Sequence, residues 1–242
     1  MTSTHALEAA LGERHPIYLA VRDDLRRSRL TVFVRPLLAA PHFAWLTMWS
    51  LSALFAAAAQ WIVVLTTGRP QRRLHGFLTR YLRYSTHFQA YLFLIGNPFP
   101  HFFGAPGEYP VDLAVNPPAP QRRWKTALRI ALAIPPSVFA SVLTQVLAIV
   151  ALLAWFAAIA LGRVPKGMRD LAAYCLRYEQ QTLGYLLLLT GRYPSIAAEP
   201  PREGRPEASY ASRQPSVLAS SSSTSGSRSR RPPWELRRSR SA

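Results

Sequence analysis

Few side chains in this sequence can do chemistry, and those that can come in spaced pairs. Arg83-Tyr84 is matched by Arg177-Tyr178, and Gly68-Arg69 by Gly162-Arg163, each 94 residues further along. A guanidinium offers two parallel N–H donors to a phosphate, and tyrosine suits headgroup depth in a bilayer. Arg83, Tyr84, Arg177, Tyr178, Arg69 and Arg163 are therefore candidate lipid-headgroup contacts. The plainer alternative is snorkelling or an internal salt bridge, with Glu179 close to Arg177 in sequence. Asp23-Asp24 lie among Arg22, Arg26 and Arg27, where charge balance or helix capping outweighs an ion or substrate contact.

Catalytic and metal chemistry find no support in the motifs. There is no Walker loop, dinucleotide turn, nucleophile elbow or zinc-helix pattern. His15, His42, His75, His87 and His101 have no histidine at the position 94 residues on, and a metal site needs several convergent ligands. Cys175 is the single cysteine, which rules out an intramolecular disulfide. No catalytic residue, cofactor or metal is expected.

The elements that must position the paired residues come from a duplication. Moving Pro16 onto Pro110 aligns the chain without a gap through Pro100 and Pro194. The register passes Arg35/Arg129, Pro41/Pro135, Trp61/Trp155, Gly68-Arg69/Gly162-Arg163, Leu82-Arg83-Tyr84/Leu176-Arg177-Tyr178 and Tyr91-Leu92/Tyr185-Leu186. Alanine-rich helices match by accident, but accident does not hold one register through proline, tryptophan and Gly-Arg landmarks. The expected organisation is a polar lead over 1–15, repeat one over 16–100, a linker over 101–109, repeat two over 110–194 and a tail over 195–242.

Each repeat reads as a short alternating segment (Ile17–Val21; Val111–Val115), a basic stretch entering a helix (Arg26–Ala39; Gln121–Ala133), a long apolar helix and a last amphipathic helix (Arg72–Ile95; Lys166–Leu189). From Pro36 to Thr67, and from Ile130 to Gly162, there is no Asp, Glu, Lys or Arg. Crossing the ~30 Å bilayer core takes about 20 apolar residues, so both runs suffice. Pro41 and Pro135-Pro136 call for a kink or helix start, which puts the membrane helices at about 42–67 and 136–161. The fold class expected is an all-α integral membrane protein of two tandem repeats, with an optional strand before each. The last helix has an apolar stripe (Leu74, Phe77, Leu78, Tyr81) opposite Arg73, Arg80 and Arg83. It suits either the membrane interface or packing on the partner repeat. Ser52, Ala53, Ala56 and Ala57 form a small-residue face open to close helix approach, and Trp61 and Trp155 read as interface anchors.

The net charge of +17 is gathered at both ends of both apolar runs and in the Ser/Arg/Pro tail, whose composition predicts disorder. Basic flanks favour the cytoplasmic side, yet here every flank is basic. One crossing per repeat, the preferred reading, makes the copies inverted. Two crossings keep the clusters on one side and let the strands pair.

Two segments resemble a known family: Pro16–Thr31, and then Gly68-Arg69, Leu82–His87 and Ala90–Leu92. They are similar to the bacterial membrane proteins grouped as domain of unknown function 4389, over roughly residues 15–195. The second copy departs from the pattern, with Asn116-Pro117-Pro118 for Arg22-Asp23-Asp24 and Glu179-Gln180-Gln181 for Ser85-Thr86-His87. The resemblance implies a bacterial plasma membrane location and supplies no mechanism. The function expected is a non-enzymatic scaffold or accessory protein contacting anionic lipid, a membrane partner or a second copy, with its basic tail cytoplasmic. A transporter or channel subunit acting as an oligomer is the alternative, and a membrane-embedded enzyme a lesser one. Charge alone leaves nucleic acid a weak candidate partner.

Overall fold

Each repeat forms a strand followed by a helical hairpin. In repeat one, β1 (Ile17–Val21) leads to α1 (Arg29–Thr67), and α2 (Arg72–Leu92) returns beside it. In repeat two, β2 (Val111–Val115) precedes the short α3 (Arg123–Ala127), then α4 (Arg129–Leu161) and the returning α5 (Lys166–Leu186). The computed structural model describes residues 15–22, 25–107 and 109–197. The expectations for the polar lead, for Asp23-Asp24 and for tail disorder beyond Ala197 fall outside them.

Both hairpin turns are built alike. α1 stops at Gly68 (φ 73°) and α4 at Gly162 (φ 68°). Each glycine takes the left-handed conformation that a side chain disfavours and bonds back to the helix through its amide, onto Val64 and Ala158.

The expected helix start at the prolines occurs in neither repeat: α4 runs on through Pro135 and Pro136, and repeat two breaks earlier, at Leu128 between α3 and α4. α1 runs unbroken through Pro36 and Pro41, so the basic stretch and the apolar stretch are one helix. Pro36 brings no N–H to the carbonyl of Val32 four residues back. The Trp155 indole supplies it, donating to Val32 O at 3.1 Å. The related bond joins Trp61 Nε1 to Thr126 O at 2.9 Å, beside the break between α3 and α4. The two tryptophans expected as interface anchors thus bridge the repeats by satisfying backbone carbonyls.

These reciprocal bonds reveal a two-fold relation between the copies. β1 and β2 pair antiparallel with Leu19 opposite Leu113, its own repeat counterpart. Gln121 N donates to Gly68 O, and Arg27 N to Gly162 O, both at 3.0 Å. Trp61, late in α1, meets the start of repeat two, and Trp155, late in α4, meets the start of repeat one. α1 and α4 are therefore antiparallel, and the axis relating them is perpendicular to both.

Three layers follow. One face of the strand pair carries Ile17, Leu19, Val21, Val111, Leu113 and Val115, all in the main core cluster. It packs on α2 and α5: a Cβ on Gly184 of α5 would meet Ile17 Cδ1 and Leu82 Cδ2. Two residues beyond Leu82, and so roughly 200° around the helix, Tyr84 points to α1 and bonds His42 at 2.7 Å. The order is strands, then α2 and α5, then α1 and α4. The middle layer explains the amphipathic pattern: the stretch 81–88 of α2 is buried on every side, so its cationic residues face protein. α1 and α4 are the opposite case. Only 17% and 28% of their most apolar stretches are buried, and both helices are long and apolar enough to cross a membrane.

Candidate functional site

Two kinds of arginine separate in the structure. Arg35, Arg83, Arg129 and Arg177 point inward and are buried, whereas Arg29, Arg69, Arg123 and Arg163 stand on the surface.

The inward set locks the hairpins. Arg35 Nη1 donates to Tyr91 O at 2.6 Å and to Gly96 O at 3.2 Å, with its guanidinium 4.3 Å from the Tyr91 ring centre. Arg129 does the same in repeat two, donating to Tyr185 O at 2.7 Å and lying 4.4 Å from that ring. Each cation sits at the C-terminal end of the returning helix, where free carbonyls and the helix dipole favour positive charge. In sequence Arg35 and Arg129 fall within the basic stretches that enter the long helices. Their conserved pairing within the repeat, with Tyr91 and Tyr185 at matching positions, was the signal that could have found them.

Arg83, Tyr84, Arg177 and Tyr178 are corrected by their burial: none reaches a headgroup. Arg83 Nε is 3.1 Å from Asp112 Oδ1 and donates to Leu113 O at 3.1 Å. His87 Nε2 lies 3.2 Å from the same carboxylate oxygen, and the amides of Gly107 and Leu113 donate to Asp112 at 2.8 and 2.7 Å. Burial alone pushes the Asp112 carboxyl up, but the bonds from His87 and Gly107 and the Arg83 charge outweigh it and hold it below the ordinary range. Arg177 donates to Ala197 O, and Tyr178 is buried with its ring edge-on to Phe139. The inward arginines of α2 and α5 therefore clamp the segments that follow their own helices.

A second polar group joins the repeats. Gln180 Nε2 donates to Gln89 Oε1 at 2.8 Å, Gln89 Nε2 to Glu179 Oε1 at 3.0 Å, and Thr144 Oγ1 to Glu179 Oε2 at 3.3 Å. Burial raises the Glu179 carboxyl despite the bonds from Gln89 and Thr144.

The surface set forms two clusters, each assembled from both repeats. At one end of the long helices the turn Gly68-Arg69 and the exposed Arg72 and Arg73 meet Arg122, Arg123 and Lys125. The backbone bond Gln121–Gly68 holds them together, and Arg123 Nε lies 3.6 Å from where a Gly68 Cβ would stand. At the other end Gly162-Arg163 and Lys166 meet Arg26 and Arg29. Here Arg26 bridges to Arg163 through the backbone, and Arg29 Nη2 donates to Ala160 O at 3.2 Å. α2 and α5 begin within these clusters without a side-chain cap, so their first N–H groups add to a cationic field that suits an anion. Arg69 and Arg163 thus keep the exposure a headgroup contact needs.

No group of three or more His, Cys, Asp or Glu residues able to hold a metal occurs among the described residues. A family model described as Domain of unknown function (DUF4389) matches twice, over residues 29–104 and 123–198. The matched blocks begin at α1 and α3 and leave both strands outside. No curated protein and no solved structure gives a match.

Proposed function

The chain belongs to the family described as Domain of unknown function (DUF4389), in two tandem copies, and from that premise we propose that it is a non-enzymatic membrane protein that gathers anionic lipid. The observation that carries this reading is the pair of equivalent cationic clusters, each placed where a long exposed apolar helix ends. Beside an anionic leaflet each basic residue contributes about 1 kcal/mol. Clusters of six and four basic residues therefore select strongly for charged headgroups, and their Arg forks favour phosphate.

Purified protein offered mixed lipid is expected to retain phosphatidylglycerol over phosphatidylcholine by roughly ten-fold or more, read by mass spectrometry of the bound lipid. Replacing Arg69, Arg123, Arg29 and Arg163 by Gln removes that preference without loss of folding. Equal retention of both lipids by the native chain contradicts the reading.

One observation favours transport as a second reading. The Glu179–Gln89–Gln180–Thr144 group lies at the junction of the repeats, where transporters built from duplicated halves bind substrate and coupling ions. Proton flux in reconstituted vesicles, abolished by Glu179→Gln, is the result that supports it.

A further inference from the structure

We propose that the protein docks on a single leaflet: α1 and α4 lie along the membrane plane, and both cationic clusters, both hairpin turns and the strand pair face the same side. The proposal deepens the lipid-binding reading and rests on it. It departs from the expectation of one crossing per repeat.

The first argument is length. Large exposed apolar side chains run from Leu30 to Ile62 on α1 and from Ile130 to Leu161 on α4. At 1.5 Å per residue each stripe is about 50 Å long, against a hydrocarbon core of about 30 Å. A straight helix would need to tilt by more than about 50° to hide such a stripe in a crossing, beyond the 0–40° that spanning helices show.

The second argument is what lies beside the middle of these helices. The described chain begins at His15 and ends at Ala197. His15 holds Ile17 O at 3.0 Å, Gln181 donates to the same carbonyl at 3.0 Å, and Arg177 donates to Ala197 O. Both points therefore lie against the middle of α5. The linker does likewise on α2, where a Cβ on Gly104 would strike Arg80 O and Tyr84 N. α2 in turn meets the middle of α1 through Tyr84–His42 and Tyr81–Ser50. Arg22, just past β1, and Arg80 are exposed at this level. A crossing through the middle of α1 would put this whole set at hydrocarbon depth, where charge and irregular backbone are costly.

The layers remove the conflict when the two-fold axis stands along the membrane normal. Local two-fold axes of an antiparallel strand pair run perpendicular to its sheet, so the axis passes from the strands through α2 and α5 to the layer of α1 and α4. That last layer is the apolar one, and a helix about 10 Å across fits within the roughly 15 Å of hydrocarbon in one leaflet. Its hydroxyls stay satisfied there: Thr47, Ser52 and Thr67 bond to carbonyls of their own helix. The two clusters then sit at equal height at either end of the layer, and every basic flank faces the same leaflet surface.

The test uses the full-length chain in sealed vesicles of known sidedness. Single cysteines are placed at Arg69→Cys, Arg163→Cys and Arg22→Cys, and a membrane-impermeant maleimide is added to one side. Cys175 is buried to 1% exposure, so its silence reports an intact fold. All three sites are expected to label from the same side and none from the other. Labelling of the two turns from opposite sides, with Arg22→Cys protected until detergent is added, overturns the proposal. Trypsin on the unaltered chain gives a second reading that needs no variant: cleavage at both turns from one side supports the proposal, and cleavage at one turn from each side overturns it. Sidedness reports the geometry and lipid retention reports the clusters, so failure of one is distinguishable from failure of the other.

Discussion

A buried charge is informative because it is expensive, and this chain buries several with different compensation. Asp112 accepts bonds from His87 and two amides and pairs with Arg83, which fixes the linker and β2 against α2. Asp112→Asn is expected to cost about 3–5 kcal/mol, the scale for breaking a buried pair, read from the detergent-solubilised unfolding midpoint. Its folded carboxyl sits below the ordinary range, so its stabilisation is present above the unfolded value and is lost as pH falls through the folded one. Glu179 has the opposite sign. Its raised carboxyl favours folding at low pH and loses that contribution as pH rises through the folded value. Glu179→Gln should therefore raise the midpoint near neutral pH and flatten its decline as pH rises above the ordinary carboxylate range. A lowered midpoint for Glu179→Gln at neutral pH contradicts this assignment. At this scale the sequence exposed the right residue types and misdirected their side chains. The stripe on α2 shows a polar and an apolar face, but no sequence pattern tells that strands and linker cover the polar face. Arg83 and Arg177 accordingly looked outward.

The elements were legible where the duplication repeats a physical necessity. Gly68-Arg69 and Gly162-Arg163 mark the same left-handed helix ends, and the alternating segments pair as strands because their counterparts lie antiparallel. The continuity of α1 was not legible, because proline inside a helix normally interrupts it. What rescues it is Trp155, more than a hundred residues away in sequence, and local pattern holds no trace of that bond. The coupling is open to a double-mutant cycle. Trp155→Phe leaves Val32 O without its indole partner and should cost about 1–3 kcal/mol. Pro36→Ala restores the helical N–H to that carbonyl, so the same Trp155→Phe change in the Pro36→Ala background should cost less by at least 1 kcal/mol. Equal costs in both backgrounds would show that Trp155 acts by packing alone.

Taken whole, the molecule is two hairpins joined back to back by reciprocal bonds, with its greasiest helices outermost. A water-soluble protein rarely exposes contiguous apolar patches beyond a few hundred Å², whereas α1 and α4 expose apolar side chains along nearly their full length. The repeat register could be read from sequence, but the direction of one copy relative to the other could not, because either arrangement satisfies the same hydropathy. The most direct measurement is extraction of native membranes at alkaline pH in carbonate, which strips proteins held by charge and keeps those seated in hydrocarbon. The chain should remain in the membrane pellet and leave it only with detergent. Its release as a folded monomer into the aqueous supernatant would contradict the account.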